Sequence, residues 1–72
     1  MQKVRNVEVL LAFGKRLAEI RKSKNVTQEE LSFKSGLSLS QIARIETGKI
    51  NTSICTVYEI SKALEIEPGE LF

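Results

Sequence analysis

The stretch from Thr27 to Gly48, TQEELSFKSGLSLSQIARIETG, limits what this chain can fold into. It holds two helix starts and two glycine stops. Thr27 is followed three residues later by Glu30, the spacing of a capping box, in which a hydroxyl and a carboxyl each accept the other residue's backbone N–H. The first helix is expected to run to about Lys34, with Gly36 in the left-handed position that stops it. Ser38 opens the second helix, with Gln41 as its reciprocal capping partner. Gly48 follows the last periodic residue and ends it. Joined by so short a turn, the two helices cannot pack antiparallel along their length and must cross steeply.

That arrangement is a helix-turn-helix. TQEEL, followed by SGLSLSQIARIETGK, resembles the helix-turn-helix of the phage repressor and Cro family. The resemblance extends from FGKRLAEIRKSKNV (Phe13 to Val26) to the final IEPGELF, and covers roughly residues 9 to 72. It implies an all-α, lambda-repressor-like bundle of four to five helices, with the helix-turn-helix unit at about 27–48. Two positions depart from the family pattern. Ser32 stands where alanine is usual, and Asn51, Thr52 and Ser53 stand where asparagine-proline-serine is frequent.

The flanking segments are helical by period. Val9, Phe13, Leu17 and Ile20 form one face of a helix expected over Glu8 to Lys24, widened by Leu10 and Ala12. Gly14 is a local cost in that helix and permits a neighbouring helix to come close. Lys15, Arg16, Lys22 and Lys24 lie mainly off the stripe and read as a solvated face, the last of them suited to the helix C-terminus. Residues 1–8 are compatible with a frayed end or with a further turn or two of the helix. Asn25 and Val26 make the next turn, and Val26 is placed to staple onto Leu31. The Ser32 hydroxyl is expected to bond back to the Gln28 carbonyl, and Phe33 to face outward. Leu37 closes the turn, while Ile42 and Ile45 point inward and leave Leu39, Ser40, Ala43 and Arg44 outward. Residues 49–53 form a loop ending at Ser53, an N-cap. A fourth helix from Ile54 to about Leu64 carries the stripe Ile54, Val57, Ile60, Ala63 and Leu64, flanked by Tyr58 and Cys55, the latter as a small buried or half-buried filler. Pro68 suits the first turn of a short fifth helix. Leu71 and Phe72 close the core or reach a partner.

Seventy-two residues suffice for one domain, residues 1–72, with one modest core. No apolar run approaches about 18 residues, so no membrane span is expected, and the N-terminus lacks the pattern of a signal peptide. A single cysteine allows no internal disulfide, which fits a reducing, cytoplasmic setting. Without histidine there is neither a Cys/His zinc site nor a histidine general base. Glu29 and Glu30 read as solvated helix carboxylates, and no GxxxxGK[ST] phosphate loop is present. No catalytic group, metal, cofactor or small-molecule effector is therefore expected. The net charge is +2 but unevenly spread: residues 1–50 carry ten Lys/Arg against five Glu, and residues 51–72 one Lys against four Glu. A positive face over the two-helix unit suits a polyanion.

Binding a duplex takes phosphate contacts for position and base contacts for sequence. Gln28 opens helix 2 beside free N–H groups that suit a phosphate, and the resemblance implies that it is the phosphate clamp. Gln41 and Lys49 are further phosphate candidates. The family pattern places base reading on Ser38, Leu39, Ser40 and Arg44. Of these, Ser38 has a competing duty as N-cap, Leu39 suits a thymine methyl, and the Arg44 fork matches guanine O6 and N7. The family pattern also pairs Arg21 with Glu46, locking the first helix to the third; an arginine fork and a carboxylate suit a bidentate bond. The resemblance further implies a homodimer on an inverted repeat, its two recognition helices about 34 Å apart. The acidic C-terminal helices, near Tyr58, Leu71 and Phe72, are the expected partner surface. The leading expectation is a sequence-specific double-stranded DNA-binding transcriptional regulator. The alternative is a protein-binding module, antitoxin-like or an adaptor, that keeps the fold.

Overall fold

The computed structural model describes residues 6–72. Residues 1–5, the greater part of the ambiguous N-terminal stretch, lie outside them. Four α-helices follow in order, α1 (Val7–Ser23), α2 (Gln28–Ser35), α3 (Leu39–Glu46) and α4 (Ile54–Leu64), and the chain closes with a single 3₁₀ turn at Pro68–Leu71. The fold is all-α and of the lambda-repressor type.

Local chemistry fixes the helix ends. Asn6 caps α1, its Oδ1 accepting the Val9 N–H at 3.1 Å. In α2 both halves of the capping box form: Thr27 Oγ1 accepts the Glu30 N–H and Glu30 Oε1 accepts the Thr27 N–H, each at 3.0 Å. Gly36 stops the helix with φ +78°, a left-handed conformation that costs glycine nothing. Ser38 Oγ accepts the Gln41 N–H at 3.0 Å. The box at α3 remains half-formed, because the Gln41 side chain does not bond back and stays half-buried at the surface. Ser53 caps α4 in the same way, accepting from Thr56.

The core gathers Phe13, Leu17 and Ile20 of α1, Leu31 of α2, Ile42 and Ile45 of α3, Ile60 and Leu64 of α4, and Leu71 of the 3₁₀ turn. Burying a side chain of this size contributes roughly 1.5–3 kcal/mol. The buried line on α1 runs Leu10, Phe13, Gly14, Leu17, Ile20, Arg21. It keeps Phe13, Leu17 and Ile20 of the stripe read from the sequence, with Leu10 beside them, but leaves out two members: Val9 is 49% exposed and Ala12 is exposed. Both lie on the edge of that face away from Gly14, where α3 packs. On α4, Ile54 is 88% exposed and Cys55 is exposed rather than a filler. Both sit in the first turn of α4, ahead of the region where Ile60, Ser61 and Leu64 enter the core.

A further difference lies at Ser32. The Ser32 hydroxyl does not return to Gln28; it donates to the Leu37 carbonyl at 2.6 Å, tying the end of α2 to the turn. The Leu37 carbonyl in the turn comes within reach of the hydroxyl and takes its proton. The short fifth helix forms as a single 3₁₀ turn with Pro68 at its start. It is held to α1 by Arg16, whose Nε donates to the Glu70 carbonyl at 2.9 Å, and by the Phe13 and Phe72 rings, with centroids 5.1 Å apart. Leu71 is fully buried there, while Phe72 stays 76% exposed.

Candidate nucleic-acid interface

α3 is an eight-residue helix with a divided surface. Ile42 and Ile45 are 0% and 2% exposed, and they anchor it in the core. Its position against α1 is set by the absence of a side chain at Gly14. A Cβ there would collide with the Ile45 carbonyl oxygen and lie 2.6 Å from that of Glu46. Backbone thus meets backbone where α1 crosses the end of α3. Gly48, with φ +72°, then turns the chain beneath Leu11.

A polar lock closes the same crossing. Arg21 Nε donates to Glu46 Oε2 at 2.6 Å and Nη2 to Oε1 at 3.0 Å, a bidentate pair. Nη1 donates to the Val26 carbonyl at 2.8 Å, bringing in the α1–α2 turn. The two side chains are 9% and 7% exposed. The hydrogen bonds that Arg21 donates to Glu46 raise the Arg21 pKa above its ordinary value, against the opposing effect of burial. Gln28, the first residue of α2, completes the group: its Nε2 donates to Glu46 Oε1 at 2.9 Å. The chain ends its α3 on a carboxylate held by three donors from two other elements.

With that side fixed, the opposite side of α3 faces solvent. Ser38, Ser40 and Arg44 are exposed, and Leu39 is 43% exposed. Ala43 and Gln41 are half-buried. The outward surface is small-featured apart from Arg44, and a helix with such a surface can enter a major groove without steric conflict. Ser38 Oγ already accepts the Gln41 N–H, so it retains its own proton for another acceptor. Thr47 lies on the same side but turns its hydroxyl back to the Ala43 carbonyl at 3.0 Å. Lys49 follows directly, its N–H donating to the Arg44 carbonyl at 2.9 Å. Gln28 is half-buried at the start of α2, where Glu29 and Glu30 are also found. Thr27 backbone and hydroxyl contacts hold the Glu30 carboxyl below the usual carboxylate range.

The arrangement brings Ser38, Leu39, Ser40 and Arg44 onto the accessible part of one helix and joins Gln28 to Arg21 and Glu46. The bond from Gln28 to Glu46 has no sequence signal, since the two residues are eighteen apart and meet only through the packing of α2 on α3. Among the described residues, no group of His, Cys, Asp and Glu could hold a metal ion, and no helix is long and apolar enough to cross a membrane.

A buried-anchor helix with an accessible polar side, preceded by a capped helix and a glycine turn, defines a helix-turn-helix protein. A helix-turn-helix family model matches residues 17–71, and the chain belongs to that family. Among solved structures it is similar to the restriction-modification controller protein C.AhdI from Aeromonas hydrophila. The two share 44% identity with a TM-score of 0.86, over 88% of this chain and 96% of that one. Control protein C.BamHI of Bacillus amyloliquefaciens is 41% identical over 64 residues, 88% of this chain and 79% of its own. The immunity repressor protein of Bacillus phage phi105 is 37% identical over 57 residues, 79% of this chain and 40% of its own. The domain is thus related to restriction-modification controllers and phage-type repressors. It is of the kind typical of DNA-binding transcriptional regulators, a family of binding proteins rather than enzymes.

Proposed function

We propose that the protein binds duplex DNA sequence-specifically, as a homodimer on an inverted-repeat operator, and regulates transcription within the cytoplasm. The observation that carries this reading is the division of α3. Its inward residues are locked by Gly14 and the Arg21–Glu46 pair, while Ser38, Leu39, Ser40 and Arg44 remain accessible. In this reading those four residues meet base edges, with Arg44 on a guanine. Gln28, Gln41 and Lys49 meet phosphates, which fix position without reading sequence. The whole chain, residues 1–72, acts as one DNA-binding domain.

The dimer supplies the specificity that one short helix lacks. Ile54, Tyr58 and Phe72, exposed at 88%, 57% and 76%, line one apolar groove with Val57, Pro68 and Thr52. A second copy of the chain covers this groove in the proposed dimer. The arrangement would present the two α3 helices to successive turns of the major groove.

Selection from a pool of random duplexes, followed by titration of the selected site, tests the reading. With about six to ten phosphate contacts per dimer, affinity should fall roughly 10³–10⁵-fold between 50 and 200 mM salt. A flat response, or no selected duplex, favours the protein-binding alternative.

A further inference from the structure

Glu46 carries more bonds than a strut between α1 and α3 requires. Its Oε2 accepts from Arg21 Nε, and its Oε1 accepts from both Arg21 Nη2 and Gln28 Nε2. The third bond concerns a residue that, in the reading above, faces DNA. A carboxamide can turn either its NH₂ or its carbonyl toward a neighbour. Against a carboxylate only the NH₂ is tolerated, because two oxygens would repel. Glu46 therefore fixes which way the Gln28 amide is turned. The same bond takes one of the two amide hydrogens and leaves the second for another acceptor. Arg21, paired to both oxygens, offsets the negative charge that would otherwise repel an anion brought up to Gln28.

We propose that Glu46 is a positioning residue for the phosphate contact of Gln28. Held by Arg21, it orients the Gln28 amide before DNA arrives, so that a hydrogen rather than an oxygen meets the phosphate. The proposal rests on the DNA-binding reading, and it gives the Arg21–Glu46 pair a part in recognition beyond joining two helices. Preorganisation of this kind removes the entropy of ordering a flexible side chain on binding.

The test is a cycle of Q28A, E46Q and the double variant, read as affinity for the selected duplex at fixed salt. E46Q is expected to weaken binding about as much as Q28A, on the order of tenfold per subunit for a bond to a charged group. It should do almost nothing further in the Q28A background. In the free protein, the Gln28 side-chain NH₂ should give two well-separated proton resonances that collapse toward ordinary glutamine values in E46Q. If E46Q does not fold, E46D takes its place: it keeps the charge for Arg21 and withdraws the carboxylate by one methylene. Additive effects of Q28A and E46Q, or unaltered Gln28 resonances, overturn the proposal. Failure of the unmutated protein to bind any duplex removes the DNA-binding reading itself. Additivity with that binding intact removes only the role given to Glu46.

Discussion

Removing either member of the Arg21–Glu46 pair leaves a charge in a site where both side chains are less than a tenth exposed. R21A or E46A is therefore expected to cost about 3–5 kcal/mol of stability, through the uncompensated charge rather than the lost attraction. The double variant should cost less than the sum. Chemical denaturation of the four proteins measures the coupling, and a value near zero would mean that the two groups act independently. At this scale the sequence was readable where a residue acts on its near neighbours. Thr27, Ser38 and Ser53 accept helix N–H groups three residues on, and Gly36 takes the left-handed conformation that a stop requires. It was less readable where a choice of partners had to be made. Ser32 had a nearby carbonyl in its own helix and another across the turn, and packing selected the second.

Among elements, the α1–α3 crossing decides the geometry of the site. G14A adds a methyl group against the backbone carbonyls of Ile45 and Glu46, neither of which can swing aside. In an open helix this change would gain up to about 1 kcal/mol. Here the collision should outweigh that gain and lower stability by about 1–3 kcal/mol. Thermal unfolding checks the sign, and a stabilised G14A would mean that the two helices stand farther apart. The α2 start gives a pH-dependent expectation. Glu30 has its pKa lowered in the folded state by Thr27, so it stabilises the fold above its unfolded value of about 4.3. That contribution is lost as pH falls through the lowered folded value. The stability difference between the unmutated protein and E30Q should hold steady from pH 7 to 5 and close below about pH 4.3. Denaturation at each pH tests it, and a gap that persists at pH 3 would contradict it. Period marked α1 and α4, and caps with glycine stops marked α2 and α3, but neither fixed the edge of each buried line. Val9 and Ile54 fall on plausible stripes, yet which edge of a stripe is covered depends on the neighbour that packs there.

On the scale of the whole molecule, the chain separates two tasks. The more basic first fifty residues contain α2 and α3, and the acidic remainder contains α4 and the closing turn. The apolar side chains left exposed on the second part are the ones a partner copy would cover in the proposed dimer. The outward placement of Ser38, Leu39, Ser40 and Arg44 follows from the inward anchoring of Ile42 and Ile45, and so was legible from the period of α3. The Gln28–Glu46 bond was not, because it depends on where two helices meet.

In the proposed function, α3 reads bases while the start of α2 holds the phosphate backbone. A full single-base substitution panel of the selected site, titrated with unmutated protein, R44A and Q28A, tests it most directly. R44A should flatten preference at one base pair in each half-site, symmetrically, by roughly 1–3 kcal/mol. Q28A should weaken every sequence by a similar factor and leave the preferences intact. If R44A instead scales all sequences equally, or Q28A alters a single base preference, the placement of the two helices on DNA is wrong.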